Sequence, residues 1–295
     1  MIRPLTIFMS FLYVTTSVAE DSTIFTERQF GFPDGLMKAV ILSYDDGPSQ
    51  DARLIDLLNE CGLKGTFYIN SGRLGLEAEW MTELIGDPGW YVKAEELDDL
   101  YAGHEIGSHT VSHPHLFELD LLRIQLEVTR DIDVLEDLGL ARVESFSYPF
   151  GEFDDRIVAA LSTTGITNAR TVESTAGFDV PDDFLRWHPT AHHTQALALV
   201  DEFLAMNNDT PALFMIWGHS WEFDGNTPDN HWRIAESICS KLSGRGDIWY
   251  VGAGEFVRYI NAVKSLHNAD GEWVNESQVS VWIRVVGELR ELAPH

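Results

Sequence analysis

The sequence predicts an α/β protein of successive strand–helix units, either a barrel or a doubly wound parallel sheet. From Met37 onward, short apolar runs of strand character alternate with amphipathic segments about seven times, with no low-complexity stretch or internal repeat between them. Polar clusters follow four of these runs. Right-handed parallel connections bring C-terminal strand ends to one face, where α/β proteins assemble their sites, so the clusters are expected to meet there.

Strands are expected at 39–44, 65–69, 105–109, 143–148, 166–170, 212–217 and 248–251, and helices at 51–60, 118–138, 154–164, 195–206, 232–242 and 255–264. The longest helix rests on Leu119, Leu122 and Leu126 followed by Ile132, Leu135 and Leu138, an apolar spacing near 3.6, with Gly139 as terminator. After His267, Val279, Val281 and Ile283 alternate with Ser280, Trp282 and Arg284, which predicts one additional C-terminal strand. The expected organisation is a signal peptide over 1–19, a lead-in over 20–36, one main domain over 37–265 and an extension over 266–295 packing on it.

The signal peptide is read from Arg3, the apolar run Leu5 to Val14 and the small residues Ser17-Val18-Ala19. It implies a secreted or periplasmic protein; a buried N-terminal helix is the structural alternative. No segment approaches the roughly 20 uninterrupted apolar residues of a membrane span, so no stable membrane insertion is expected. Cys61 and Cys239 lie far apart in helix-like stretches and read as buried thiols, with one bridge as the alternative in an oxidising compartment.

Composition narrows the function. Twenty Lys plus Arg against 47 Asp plus Glu give a formal net charge of −27, which argues against nucleic acid as a partner and disfavours strongly anionic polymers. With 44% hydrophobic residues the chain still has the means to bury a sizeable core, so the charge does not imply disorder.

The chemistry sits in the turns. Asp45-Asp46-Gly47-Pro48 places two carboxylates at the end of an apolar strand, where like charges raise one another's pKa unless a cation is near. The turn is expected to bend the strand so that both reach one cavity; Asp46 or Ser49 capping the next helix is the plainer reading. His109 and His113 stand four apart, a spacing that suits a divalent metal, and Pro114 biases His113 away from the right-handed helical region, so a turn is expected. Two histidines and one carboxylate leave coordination positions open for water and substrate, the composition of a hydrolytic centre.

Ser43-Tyr44-Asp45-Asp46-Gly47-Pro48, Ser108-His109-Thr110-Val111-Ser112-His113-Pro114, Ser147-Tyr148-Pro149-Phe150-Gly151 and Trp217-Gly218-His219 resemble successive motifs of the polysaccharide deacetylases, the NodB-homology or carbohydrate esterase family 4 group. The resemblance implies a deformed (β/α) barrel of about seven strands holding one divalent metal, with zinc preferred over cobalt or nickel. It assigns Asp45 as general base, Asp46, His109 and His113 as metal ligands, His219 as general acid and the backbone N–H of Phe150 as an oxyanion donor. Where the family pattern has an arginine opening the third motif, this sequence has Ser147. Arg170, at the expected end of the fifth strand, is the candidate replacement that balances and orients Asp45, against a surface ion pair as the alternative. The tryptophan-bearing fourth motif is indistinct; Trp187 in Asp183-Phe184-Leu185-Arg186-Trp187 is its nearest counterpart and a candidate pocket wall.

Trp80, Trp90, Trp221 and Trp232 fall in or beside expected loops and are further sugar-platform candidates, Trp221 foremost. His188, His192, His193, Glu222 and Asp224 are candidates to orient His219. Asn275-Glu276-Ser277 matches an N-glycosylation triplet. Together these imply a hydrolase that removes acetyl groups, N-acetyl of an amino sugar before O-acetyl, from an acetylated carbohydrate by way of a metal-activated water. An O-acetyl polysaccharide esterase, a cyclic-imide hydrolase and a non-catalytic sugar binder on the same scaffold are the rivals; oligomeric state is not readable.

Overall fold

The computed structural model describes residues 30–295 other than 208, 226 and 229, so the expected signal peptide lies outside the described residues. Alternation within the strands explains the architecture. In β2 (Lys38–Tyr44, after the two-residue β1, Phe30–Gly31), Val40, Leu42 and Tyr44 belong to one core cluster and Ala39 and Ile41 to another. The first cluster lies between the sheet and its covering helices, α1 (Asp51–Glu60) among them; the second fills the inside of a curled sheet.

The same alternation runs through β3 (Gly65–Ile69), then, past α2 (Glu79–Ile85) and α3 (Leu97–Leu100), through β4 (Glu105–Ser108). It continues after α4 (Leu121–Asp137) in β5 (Ser145–Ser147) and after α5 (Asp155–Leu161) in β6 (Asn168–Arg170). Phe67, Ile69, Ile106, Phe146 and Ala169 face the helices, whereas Thr66, Tyr68, Ser145, Ser147, Asn168 and Arg170 occupy the alternate positions and are buried. One side of the interior is therefore polar before any site residue is considered.

After β7 (Ala191–His192), α6 (His193–Ala205), β8 (Ala212–Gly218), α7 (Trp232–Leu242) and β9 (Ile248–Tyr250), the parallel sheet has the order β6-β5-β4-β3-β2-β8-β7, with β9 beside the first half of β2. The two edges are joined by one extended segment: Trp187 pairs with Arg170 at its start, and Thr190 N donates to Met215 O at 2.9 Å further on. This is the expected deformed α/β barrel. Three of its helices begin where side chains cap them. Asp120 accepts from Arg123 N, Asp154 from Ile157 N and His192 from Thr194 N, which moves three starts by up to three residues from their expected positions.

α8 (Ala253–Lys264) closes the N-terminal end of the barrel. Ala253 N donates to Thr66 Oγ1, and Gly254 N to both oxygens of Glu105, a carboxylate pushed up by burial. Gly252 is required by this approach, because a Cβ there would run into that carboxylate.

The extension differs from the single expected strand. β12 (Val281–Val285) lies where the alternation placed it, but it turns at Val286-Gly287 into β13 (Glu288–Leu292) and also pairs with β1. A second hairpin, β10 (His267–Ala269) with β11 (Glu272–Val274), precedes it. Neither hairpin was signalled by a period-2 pattern, since three of the five residues of β13 are charged and the three-residue β10 is wholly exposed. Asn275 is buried and gives its amide to Val279 O and Leu292 O, so the glycosylation triplet presents no free acceptor in this fold.

Candidate active site and metal centre

The C-terminal strand ends open into a cavity of about 760 Å³ whose lining includes Asp45, Asp46, His109, His113, His219 and Trp221. Asp45 continues the inward face of β2, and strand alternation would send Asp46 outward. Asp46 instead adopts φ 78°, which turns both carboxylates into the cavity, as the expected bend at this turn requires. Thr110, His113 and Phe150 are also left-handed, with φ of 68°, 53° and 57°. Non-glycine residues hold such conformations only where their surroundings impose them, at a cost of order 1–3 kcal/mol each. Pro114 does exclude His113 from the right-handed region, though into the left-handed one.

His109 Nε2 and His113 Nε2 each lie 3.7 Å from Asp46 Oδ1. The Nδ1–H of His109 donates to Ser147 O at 2.8 Å, which leaves Nε2 with its lone pair toward Asp46. Behind it, Asp131 accepts from Ser108 Oγ and from the backbone N–H groups of His109 and Ser71, tying the histidine turn to α4. Burial lowers the pKa of His109, and burial with the neighbouring His109 holds His113 at about 4, so both rings are neutral at neutral pH, the state in which imidazole ligates. Three donors, each offering one atom within 4.8 Å of the others, fit a divalent ion with positions to spare.

Asp45 is held differently. Arg170, wholly buried, gives Nη2 to Asp45 Oδ2 and to Ser147 Oγ, Nε to Ser43 Oγ and Nη1 to Thr171 O. Ser147 Oγ also donates to Asp45 Oδ2, at 3.0 Å. Burial alone would push the Asp45 carboxyl up, but the Arg170 guanidinium, with His109 and His219, brings it down to about 2. Asp45 Oδ1 has no hydrogen-bond partner among the described residues and belongs to the cavity wall. One oxygen is thus anchored and the other is free to accept a proton.

His219 faces the centre from β8, with Nε2 3.9 Å from Asp46 Oδ2. Its Nδ1 lies 3.5 Å from Glu222 Oε2, the oxygen that also meets His192 Nε2 at 3.0 Å and His193 Nε2 at 3.1 Å. Burial depresses the His219 pKa, but the Glu222 carboxylate, with Asp46 and Asp45, raises it to about 9. Gly218 makes the cluster fit, since a Cβ there would strike the His193 ring.

Several expected residues are placed elsewhere. Trp187 does not line the cavity; its ring packs on Phe184 at 5.2 Å and Phe256 at 5.7 Å, because its position on the extended segment points it into the barrel core. Trp217, which sequence reasoning passed over as a pocket residue, lines the cavity instead, with the Arg170 guanidinium 4.6 Å from its ring. Trp80 and Trp221 line it too, edge to face at 5.3 Å, whereas Trp232 is buried under Arg53 and Trp90 lies outside. Among the candidates to orient His219, Glu222 is the carboxylate beside it, with His192 and His193 on the same Glu222 oxygen; Asp224 bonds Trp232 and Gln50, and His188 bonds Thr171. Arg73 and Tyr91, from the long segment between β3 and β4, complete one wall and carried no sequence signal.

An α/β barrel with a free carboxylate, a charged histidine and a candidate Asp-His-His centre at its C-terminal mouth has the layout of a hydrolase. Residues 34–169 match the polysaccharide deacetylase family profile. It is 32% identical over 154 residues to chitin deacetylase 1 of Cryptococcus neoformans var. grubii, covering 50% of this chain and 28% of that protein. It is 31% identical over 147 residues to a chitin deacetylase of Pestalotiopsis sp, covering 47% and 44%. The chain thus spans less than half the length of these curated relatives. A Mycobacterium smegmatis crystal structure assigned as a polysaccharide deacetylase shares the fold, with TM-score 0.56 and 18% identity over 80% of this chain and 94% of that one.

Proposed function

We propose that this protein is an exported, metal-dependent deacetylase that hydrolyses N-acetyl groups of an amino sugar in a polysaccharide or oligosaccharide. The observation that carries the reading is the division of the paired carboxylates: Asp46 shares its Oδ1 with two neutral histidines, while Asp45 is anchored by Arg170 and keeps Oδ1 free. Asp46, His109 and His113 would hold the ion. A divalent ion, zinc before cobalt or nickel, supplies there the positive charge that polarises an acetyl carbonyl and eases loss of a proton from water.

The chain's own residues do the rest. Asp45 Oδ1 takes the proton from the attacking water. The Phe150 N–H, presented by its left-handed turn, donates to the developing oxyanion. His219 Nε2–H gives its proton to the departing amine as the C–N bond breaks. A histidine kept protonated at neutral pH suits an amine, which leaves poorly without a proton, better than an alkoxide.

Two measurements follow. The purified protein is given acetylated chitin oligomers and acetylated xylan in parallel. Acetate from the first at the higher kcat/KM supports the N-acetyl reading, acetate from xylan alone makes the protein an O-acetyl esterase, and binding without turnover makes it a sugar binder. Glu222→Gln is expected to bring the alkaline limb of the kcat profile down by about 1–2 pH units, because removing the carboxylate withdraws what holds the His219 proton. An unmoved limb would set aside Glu222 as its partner.

Export rests on the sequence pattern at 1–19; no helix among the described residues is long and apolar enough to cross a membrane.

A further inference from the structure

The two oxygens of Asp46 have different surroundings. Oδ1 is the atom equidistant from His109 Nε2 and His113 Nε2, at 3.7 Å. Oδ2 accepts the indole Nε1–H of Trp221 at 3.1 Å. An indole N–H donates only: it neither ligates a metal nor accepts a proton, so it restrains a carboxylate oxygen without competing for what the other oxygen binds. The indole is itself braced, edge to face on Trp80 at 5.3 Å and tilted against the His219 ring at 5.4 Å. Trp80 in turn donates Nε1–H to Tyr91 OH at 3.1 Å, which connects the brace to the segment between β3 and β4.

We infer that Trp221 is a positioning residue for the metal ligand Asp46: its N–H pins Oδ2 and leaves Oδ1 as the single carboxylate donor. The inference rests on the metal reading of the centre proposed above and goes beyond it, since a residue that served only as a sugar platform would leave ion affinity untouched. Hydrogen-bond partners behind a ligand hold its orientation and commonly change metal affinity when removed.

The test is calorimetric titration of chelator-stripped protein with zinc, together with the visible spectrum of the cobalt-loaded form. Trp221→Phe, which keeps an aromatic ring but no donor, is expected to weaken zinc binding by about 10–100-fold and to change the cobalt spectrum. Trp80→Phe, which removes the brace's link to Tyr91 but not the bond to Asp46, is expected to raise KM and keep the wild-type zinc affinity. In wild-type protein, one tryptophan indole N–H resonance is expected to shift and exchange more slowly on adding the first equivalent of zinc, a reading that stands even where Trp221→Phe does not fold. Wild-type affinity and spectrum in a folded Trp221→Phe protein, or indole resonances indifferent to zinc, would overturn the assignment. Wild-type protein that takes up no ion would overturn the metal reading itself.

Discussion

Replacing Asp45 by Asn is expected to lower kcat by about 10³-fold while metal content stays at the wild-type level. The reasoning is local. Asp45 Oδ2 is committed to Arg170 and Ser147, so the acceptor for a water proton is Oδ1, and an amide at this position has no capacity to take it. The neighbouring Asp46 does not substitute, because its Oδ1 lies between two imidazoles and its Oδ2 accepts from Trp221. A loss of that size corresponds to about 4 kcal/mol of transition-state stabilisation. Asp46→Ala should instead lose the ion. Metal analysis beside kcat separates the two variants, and near-wild-type turnover in a folded Asp45→Asn protein would remove Asp45 from the role of base.

Arg170→Met is expected to act on stability and activity together. Its guanidinium is wholly buried and is the cation beside Asp45, so removing it strands a carboxylate in the barrel interior at a cost of about 3–5 kcal/mol. The sign of the pH effect follows from the low Asp45 pKa, about 2 in the folded protein against an ordinary aspartate value of 3.8. The stability due to the pair is present above the unfolded value and is lost as pH falls toward 2. Without Arg170 the folded pKa rises, so the acid limb of activity should move to higher pH. Denaturant unfolding and a pH profile check both parts. Ser147→Arg combined with Arg170→Ser returns a guanidinium from the adjacent strand, where the wild-type Ser147 already touches Asp45, and should recover part of the loss. Arg170→Met with unchanged stability and an unchanged profile would reduce the pair to a neutral packing feature.

Much of this arrangement could be read in the chain because strand alternation is local. Short runs such as Ser145-Phe146-Ser147 and Asn168-Ala169-Arg170 separate an outward apolar position from inward polar ones, and the residue at the inward end becomes part of the site. Arg170 was a candidate because it ends the expected fifth strand where the resemblance lacks its arginine at Ser147; its inward position and complete burial show why a surface ion pair is not its state. Motif order supplied the rest: Asp45, Asp46, His109, His113 and His219 come from three separated strand ends and line one cavity.

What could not be read depends on long-range placement. Trp187 lies beside the fifth turn in sequence, yet its side chain enters the core against Phe184 and Phe256, and nothing in its neighbours fixes that direction. Trp217 was passed over although strand alternation is the signal that could have found it: it shares the inward face of β8 with Leu213 and Met215, next to the last residue of the strand. Glu222 became distinguishable from Asp224 only through the turn after β8, which sets one beside three imidazoles and the other beside Trp232. The hairpin partners β11 and β13 were hidden by length and charge, and the Asp46–Trp221 bond joins residues 175 apart.

The most direct test of the central claim is acetate release from N-acetylglucosamine oligomers by protein stripped with a chelator and then supplied with zinc, cobalt or nickel in known equivalents. The account predicts no release from the stripped protein and a rate that rises to a plateau at one equivalent of ion. Full release by protein shown to be metal-free, or none at any metal loading, would contradict it.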